Sequence, residues 1–252
     1  MEKSYGSKAK LTLLSTLAVV ALLSLTGVAY ADPSPQMVGS QWAVYEQTTL
    51  PNGSLLFYVA AHATTISTGG VEFQMPDATS SSPTYVNYLL NTYATSLVEG
   101  NTIAATINVV TSSSATTFVG NPDGGCPAGT CPGAVRLFFQ SSLAVTNAAR
   151  SNCIGGFGTN ENNYWWSNPT SYSFVAGGSG GTITLSVPLN PADWSNICGQ
   201  FGSSNIPVFN SALANIKYIG LSFGSGYYFA NGLGVDGSTG TATFQLVTYT
   251  IS

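Results

Sequence analysis

Charge is what this sequence has least of. Only 6% of its 252 residues are charged: six Lys and Arg, ten Asp and Glu, and a single histidine. A chain so poor in basic residues cannot neutralise a phosphate backbone or an anionic lipid surface, which argues against nucleic acid and such membranes as partners. The polar surface must instead consist of Ser, Thr, Asn, Gln and Gly, and such a surface suits an uncharged ligand.

Catalytic motifs are also lacking. The sequence contains no G-x-S-x-G, no H-E-x-x-H and no Cys–His nucleophile pair. The lone His62 falls on the strand face opposite Leu55, where a structural or surface role is expected. A glycosidase needs two carboxylates around the scissile bond, and most acids here stand beside Gly or Pro, which is typical of turns. We therefore assign no catalytic residues and expect binding, with a glycoside-active enzyme as an alternative.

The first 31 residues have the three parts of a secretory signal peptide. The basic start is formed by Lys3, Lys8 and Lys10, and an apolar run covers residues 11–28. The run ends in Ala29-Tyr30-Ala31, which offers small residues to a signal peptidase. We predict a signal peptide over 1–31, a single mature domain over 32–252, and a secreted, extracellular protein that is free of the membrane after cleavage. An uncleaved anchor is the alternative.

Four cysteines remain beyond this leader: Cys126, Cys131, Cys153 and Cys198. An even number in an exported chain indicates disulfides. Cys126 and Cys131 bracket a Pro- and Gly-containing turn, which favours a local bridge and leaves Cys153 for Cys198. The second bridge would close a loop of some 45 residues and stabilise the fold by roughly 4 kcal/mol. With one distant histidine, the spacing is not that of a zinc site.

Short runs of alternating apolar and polar residues recur along the chain, the clearest being GTITLSVPL at 181–189. Such runs, separated by Gly, Pro, Asn and Ser, indicate antiparallel strands. They predict an all-β, two-sheet antiparallel β-sandwich, or jelly roll, of about ten strands, with one short helical turn near 207–215. In the last strand the apolar phase shifts between Leu246 and Val247, which predicts a β-bulge.

One segment carries a family resemblance. FNSALANI at 209–216 runs directly into IGLSFG at 219–224, and a Gly-rich aromatic segment and a final strand follow. This arrangement resembles the galactose-binding-domain-like jelly rolls of secreted carbohydrate-binding modules, in outline from 41 to 252 and most closely from 135 to 251. The resemblance implies a β-sandwich, often a structural calcium ion, and sugar binding by loops or by one sheet face.

Aromatic residues are concentrated in the stretch NENNYWWSNPTSY at 160–172. Because neighbouring side chains of a strand point to opposite faces, Trp165 and Trp166 cannot both enter one core. Tyr164 and Trp166 would then form an outer platform for the apolar face of a sugar; alternatively, both indoles cover the end of the sandwich. The candidate ligand-binding residues are Glu161, Asn162, Tyr164, Trp165, Trp166, Tyr227, Tyr228 and Asn231.

Asp236 lies among glycines and has two expected roles. It either caps a turn or helps to bind calcium with backbone carbonyls; apart from such an ion, we expect no cofactor. Taken together, the sequence predicts an exported, non-catalytic protein that recognises a neutral glycan or polysaccharide. A cell-surface matrix protein that self-assembles through its strand edges is the alternative.

Overall fold

The computed structural model describes residues 32–50, 52, 55–122, 133–143, 161–168, 171–174, 181–225 and 231–252. Residues from Pro33 to Ser252 form one compact unit. The described residues form fifteen β-strands in two antiparallel sheets, three-residue 3-10 turns and one α-helix. The predicted all-β, two-sheet antiparallel sandwich is therefore confirmed.

The larger sheet contains ten strands. They are β1 (Trp42–Thr49), β2 (Leu55–His62), β5 (Thr84–Thr92), β7 (Phe118–Gly120), β8 (Gly133–Ser141), β9 (Tyr164–Ser167), β10 (Tyr172–Phe174), β12 (Trp194–Asn196), β13 (Ile216–Ser225) and β14 (Leu233–Val235). Seven of them follow the order β12-β9-β8-β13-β5-β1-β2, so β2 forms one edge. β10 pairs with β8, and β14 pairs with β5 and β7.

The smaller sheet contains five strands in the order β11-β6-β15-β4-β3. They are β3 (Thr64–Thr65), β4 (Val71–Gln74), β6 (Thr102–Thr111), β11 (Thr182–Pro188) and β15 (Ala242–Ile251). β6 alternates strictly between buried and partly exposed residues up to Val109. That alternation reflects a sheet with one face on the core and one on solvent.

The core lies between the sheets and is rich in aromatic rings. Phe73, Phe223 and Phe244 contact one another in tilted and edge-on pairs with centroids 4.9–5.9 Å apart. In β15, the buried positions change phase after Leu246, and the register with β6 shifts between Leu246 and Thr248. The β-bulge predicted from the apolar pattern is therefore confirmed.

The single α-helix, α1, spans Ile206–Ala214 and confirms the helical turn predicted near 207–215. The Asn205 side chain accepts a hydrogen bond from a backbone N–H of the first turn, and Pro207 occupies a position where no N–H is required. Phe209, Ala212 and Leu213 are buried, and their i, i+3, i+4 spacing places them on one face. Its Phe209 packs against Trp165 of β9 and Phe139 of β8.

The fifteen strands exceed the ten expected. The additional strands are short: β3, β7, β10, β12 and β14 have only two or three residues each. A segment of that length contains too few alternations for periodicity to detect it.

Several sequence predictions concern residues outside the described part of the chain. These are the leader at 1–31, Tyr227 and Tyr228, and three of the four cysteines. Cys198 is disulfide-bonded, but because Cys126, Cys131 and Cys153 are not described, the proposed pairing stays a prediction. The domain boundary at residue 32 likewise stays a prediction.

Candidate aromatic binding face

Trp165 lies in the core, so its assignment as a ligand contact has to be corrected. It is 2% exposed and packs edge-on against Phe209 of α1, with ring centroids 5.0 Å apart. It also stacks with Phe139 of β8 at 6.2 Å. Its indole Nε1 donates a hydrogen bond of 2.7 Å to the carbonyl oxygen of Asn162. The alternation of β9 turns this ring inward.

Tyr164 and Trp166 share the opposite face, as the alternation predicts. Their rings stack with centroids 6.4 Å apart and an interplanar angle of 18°. Trp166 is nevertheless only 3% exposed, whereas Tyr164 is half-buried. The pair therefore has the geometry of a platform, but the tryptophan supports the tyrosine and presents little surface itself.

These two rings belong to a larger group on the outer face of the large sheet, which we call the outer aromatic cluster. Leu90, Phe138 and Trp166 form its buried centre, and Tyr45, Tyr88, Tyr164, Ile197 and Tyr218 pack around them. None of them belongs to the core between the sheets. This face of the large sheet is thus apolar in its own right, which is unusual for a sheet face on which the described residues place no second sheet.

Small residues on the central strand allow the cluster to close. β13 runs between β5 and β8 and contributes Gly220 and Ser222 beside Phe138, Tyr88 and Arg136. The Tyr88 and Phe138 rings meet across this strip with centroids 4.9 Å apart. Burial raises the pKa of Tyr88, and the nearby Tyr164 hydroxyl raises it further. Tyr88 therefore stays a neutral, packed side chain at any physiological pH.

Toward β1 and β2, the cluster opens into a cleft of about 430 Å³, which we call the tyrosine cleft. It is lined by Ser40, Gln41, Ala43, Tyr45, His62, Leu90, Asn91, Thr92 and Tyr218. Strand order brings these residues together: Ala43 pairs with His62 on one side and with Leu90 on the other. The volume falls within the range of about 300–1,000 Å³ that is typical of small-molecule sites.

The cleft is polar but nearly uncharged. Its lining contains two tyrosines, two amides and two hydroxyl side chains, with no carboxylate among them. Partial burial raises the pKa of Tyr45, and the neighbouring Tyr218 adds to that shift. The Lys217 ammonium lies 5.1 Å from the Tyr218 ring centroid, but Lys217 is not part of the cleft lining. Such a lining can form hydrogen bonds with a hydroxyl-rich ligand but has no pair of carboxylates for glycoside hydrolysis.

The carboxylate next to Tyr45 in the sequence makes a structural contact. Glu46 follows Tyr45 in β1 and accepts a hydrogen bond of 3.1 Å from the hydroxyl of Tyr58 in β2. Burial raises the pKa of Glu46, although the Tyr58 hydrogen bond partly opposes this shift. Glu46 thus links the edge strand to β1.

The other predicted site residues do not converge on the cleft. The carbonyl of Asn162 supports Trp165, and the Asn231 side chain donates a 2.9 Å hydrogen bond to the carbonyl of Asn121. Glu161 begins the 3-10 turn before β9, but its side chain, like Tyr227 and Tyr228, lies outside the described residues. Of the eight predicted ligand-binding residues, Tyr164 and Trp166 are the two that join the outer aromatic cluster.

Asp236 serves as a turn cap. One of its carboxylate oxygens accepts hydrogen bonds from the Ser238 amide and hydroxyl and from the Thr79 hydroxyl. These bonds lower the pKa of Asp236. Asp77 lies beside it and accepts from the same Thr79. Within the described residues, no group of three or more His, Cys, Asp or Glu could hold a metal ion, and calcium binding stays a prediction.

Sequence reasoning missed the residues that line the cleft. Tyr45 and Tyr218 lie in ordinary strand patterns, and only the pairing of β1, β5 and β13 brings them together. His62 is exposed, in agreement with the expected structural or surface role, and its register opposite Ala43 also places it at the cleft. The one available signal was that each of these tyrosines occupies the outward phase of its strand.

No family model and no curated protein matches this sequence. A solved structure described as "xylan-binding module CBM15" is similar over 81% of this chain and 92% of its own, at 11% identity and a TM-score of 0.31. A similarity of this extent carries no information on the ligand, which has to be inferred from the cleft. In the described part of the chain, no helix reaches the length and hydropathy of a membrane span.

Proposed function

We propose that this protein is an exported, non-catalytic module that binds a neutral polysaccharide in the tyrosine cleft. The observation that carries the proposal is the lining of the cleft, where Tyr45 and Tyr218 stand among amide and hydroxyl side chains. An aromatic ring takes the apolar C–H face of a sugar, while amides and hydroxyls form hydrogen bonds with its hydroxyl groups. A ligand with both kinds of surface fits this mixture best.

The charge of the cleft supports a neutral ligand. An acidic sugar would require an Arg or Lys facing it, and the cleft lining contains neither. Arg136 lies on the same sheet face, but it donates a hydrogen bond to the Asn168 side chain instead.

Binding without hydrolysis is supported by the position of the carboxylates. Glu46 is bonded to Tyr58, and Asp77 and Asp236 cap turns. A retaining or inverting glycosidase needs two carboxyl groups facing each other across the substrate. The cleft lining offers no such pair.

Affinity electrophoresis in gels containing neutral polysaccharides, together with pull-down on insoluble ones, tests the proposal. We expect retardation by at least one β-linked or α-linked glucan, xylan or mannan. Tyr45→Ala and Tyr218→Ala should each weaken binding about tenfold or more, equivalent to about 1.4 kcal/mol. The matched control is Phe201→Ala, an exposed aromatic outside the cleft. Failure to bind any polysaccharide, or equal binding by all three variants and the wild type, would refute the proposal.

A further inference from the structure

The edge strand β2 is exposed along its whole length. It ends the strand order of the large sheet and, among the described strands, pairs only with β1. Every residue of β2 except Tyr58 is exposed. Of the ten exposed large apolar side chains in the described residues, five lie between Leu50 and Val59. Backbone donors and acceptors on the free side of such a strand are complementary to another strand.

In the described part of the chain, β2 lacks the features that normally protect a sheet edge. Edge strands are usually guarded by Lys, other charges, proline or a covering loop. From residue 47 to residue 71 the chain contains no Asp, Glu, Lys or Arg, and β2 itself contains no proline. The edge strand β11 of the other sheet differs, because it ends in Pro188 and carries Thr and Ser at its exposed positions.

We propose that β2 is a self-association edge, where a second copy of this chain pairs with it antiparallel across a twofold axis. Antiparallel pairing of two identical strands is self-complementary and stops at the dimer. The register that places Phe57 opposite itself sets Leu55 of one copy against Val59 of the other. In this arrangement neither copy places a charged side chain opposite β2 of the other, so two copies with a net negative charge can approach each other at this edge.

The exposed area sets the strength of the contact. An eight-residue strand is about 27 Å long, and its four half-exposed large apolar side chains, at about 100 Å² each, could cover roughly 400 Å² per copy. A stable interface usually buries about 800 Å² per partner. The dimer should therefore be weak and concentration-dependent, with dissociation in the micromolar range.

The axis of such pairing is perpendicular to the sheet, so the outer faces of both copies lie on the same side. If the proposed glycan binding holds, two tyrosine clefts would then face one polymer surface, which raises avidity without a new contact. The dimer itself does not depend on the glycan. It can be measured with no polysaccharide present, and its failure would leave the function of the single cleft untouched.

Sedimentation velocity over a concentration series, without polysaccharide, tests the edge. We expect the wild type to shift from monomer to dimer as concentration rises. Val59→Lys should weaken dimerisation at least tenfold, and Phe57→Lys should do the same by opposing two ammonium groups at the axis. The control is Val110→Lys: Val59 is 49% exposed and Val110 48%, but Val110 lies in β6, an interior strand of the smaller sheet.

Two results would overturn this inference. One is a wild type that stays monomeric up to millimolar concentration. The other is a pair of β2 variants that dimerise as well as Val110→Lys does. Far-UV circular dichroism of each variant confirms folding, and two independent β2 substitutions keep the test decisive if one of them fails to fold.

Discussion

Replacing Trp165 by alanine should destabilise the protein severely, because this indole fills the junction between β9, β8 and α1. The ring is almost fully buried and contacts Phe139 and Phe209. Truncating a buried tryptophan to alanine costs about 3–5 kcal/mol through lost burial and the remaining cavity. The lost Nε1 hydrogen bond adds little, since the Asn162 carbonyl also accepts from the Ser141 hydroxyl. We therefore expect a loss of about 4 kcal/mol.

Differential scanning calorimetry and guanidinium unfolding, with disulfides intact, measure this loss. For a unit extending from Pro33 to Ser252, each kcal/mol lowers Tm by about 2–4 °C, so Trp165→Ala should melt about 8–16 °C below the wild type. Phe201→Ala, which removes a ring that is 39% exposed, should cost less than about 1 kcal/mol. If Trp165→Ala cost no more than this control, the inward orientation of the ring would be wrong. A loss of glycan retention at unchanged stability would lead to the same conclusion.

Two further substitutions test the sheet geometry. Burial raises the folded-state pKa of Glu46, so protonated Glu46 contributes stability at low pH that is lost as pH rises through that pKa. Glu46→Gln can still accept a hydrogen bond from the Tyr58 hydroxyl. This variant should therefore raise Tm at neutral pH but not at about pH 3–4. A Tm difference that does not vary with pH would contradict this assignment. Gly220 has φ +153°, and a side chain there would collide with the Leu89 carbonyl oxygen. Gly220→Ala should therefore lower the free energy of unfolding, measured by chemical denaturation, by about 3 kcal/mol or more. A loss below about 1 kcal/mol would show that the strand relaxes around a methyl group.

The sequence predicts best those parts of the fold where a few consecutive residues show which side chains are buried. Buried and exposed positions alternate in β6, and the phase change in β15 is visible as a change of apolar parity. The helix at 206–214 was predictable from its cap, its proline and its apolar spacing. All three signals are local, because a few consecutive residues determine which side chains face the core.

The site was not predictable in the same way, because it depends on strand order. Tyr45, Tyr88 and Tyr218 are separated by more than forty residues at each step, and they meet only because β5 lies between β1 and β13. Alternation correctly places Trp165 and Trp166 on opposite faces. It cannot tell that Phe138, which itself packs against Tyr88, covers Trp166, since those contacts come from other strands.

Low charge links the two surfaces proposed for this protein. A cleft that contacts a neutral sugar does not require a Lys or Glu, because amide and hydroxyl side chains can form hydrogen bonds with its hydroxyl groups. The same lack of charge removes the ordinary protection of a sheet edge, and β2 supplies both His62 to the cleft and an uncovered apolar strand. A single lysine at position 57 changes the edge at a residue that pairs with Gln47, which is not part of the cleft lining. Cleft and edge can therefore be altered separately, although one composition produces both.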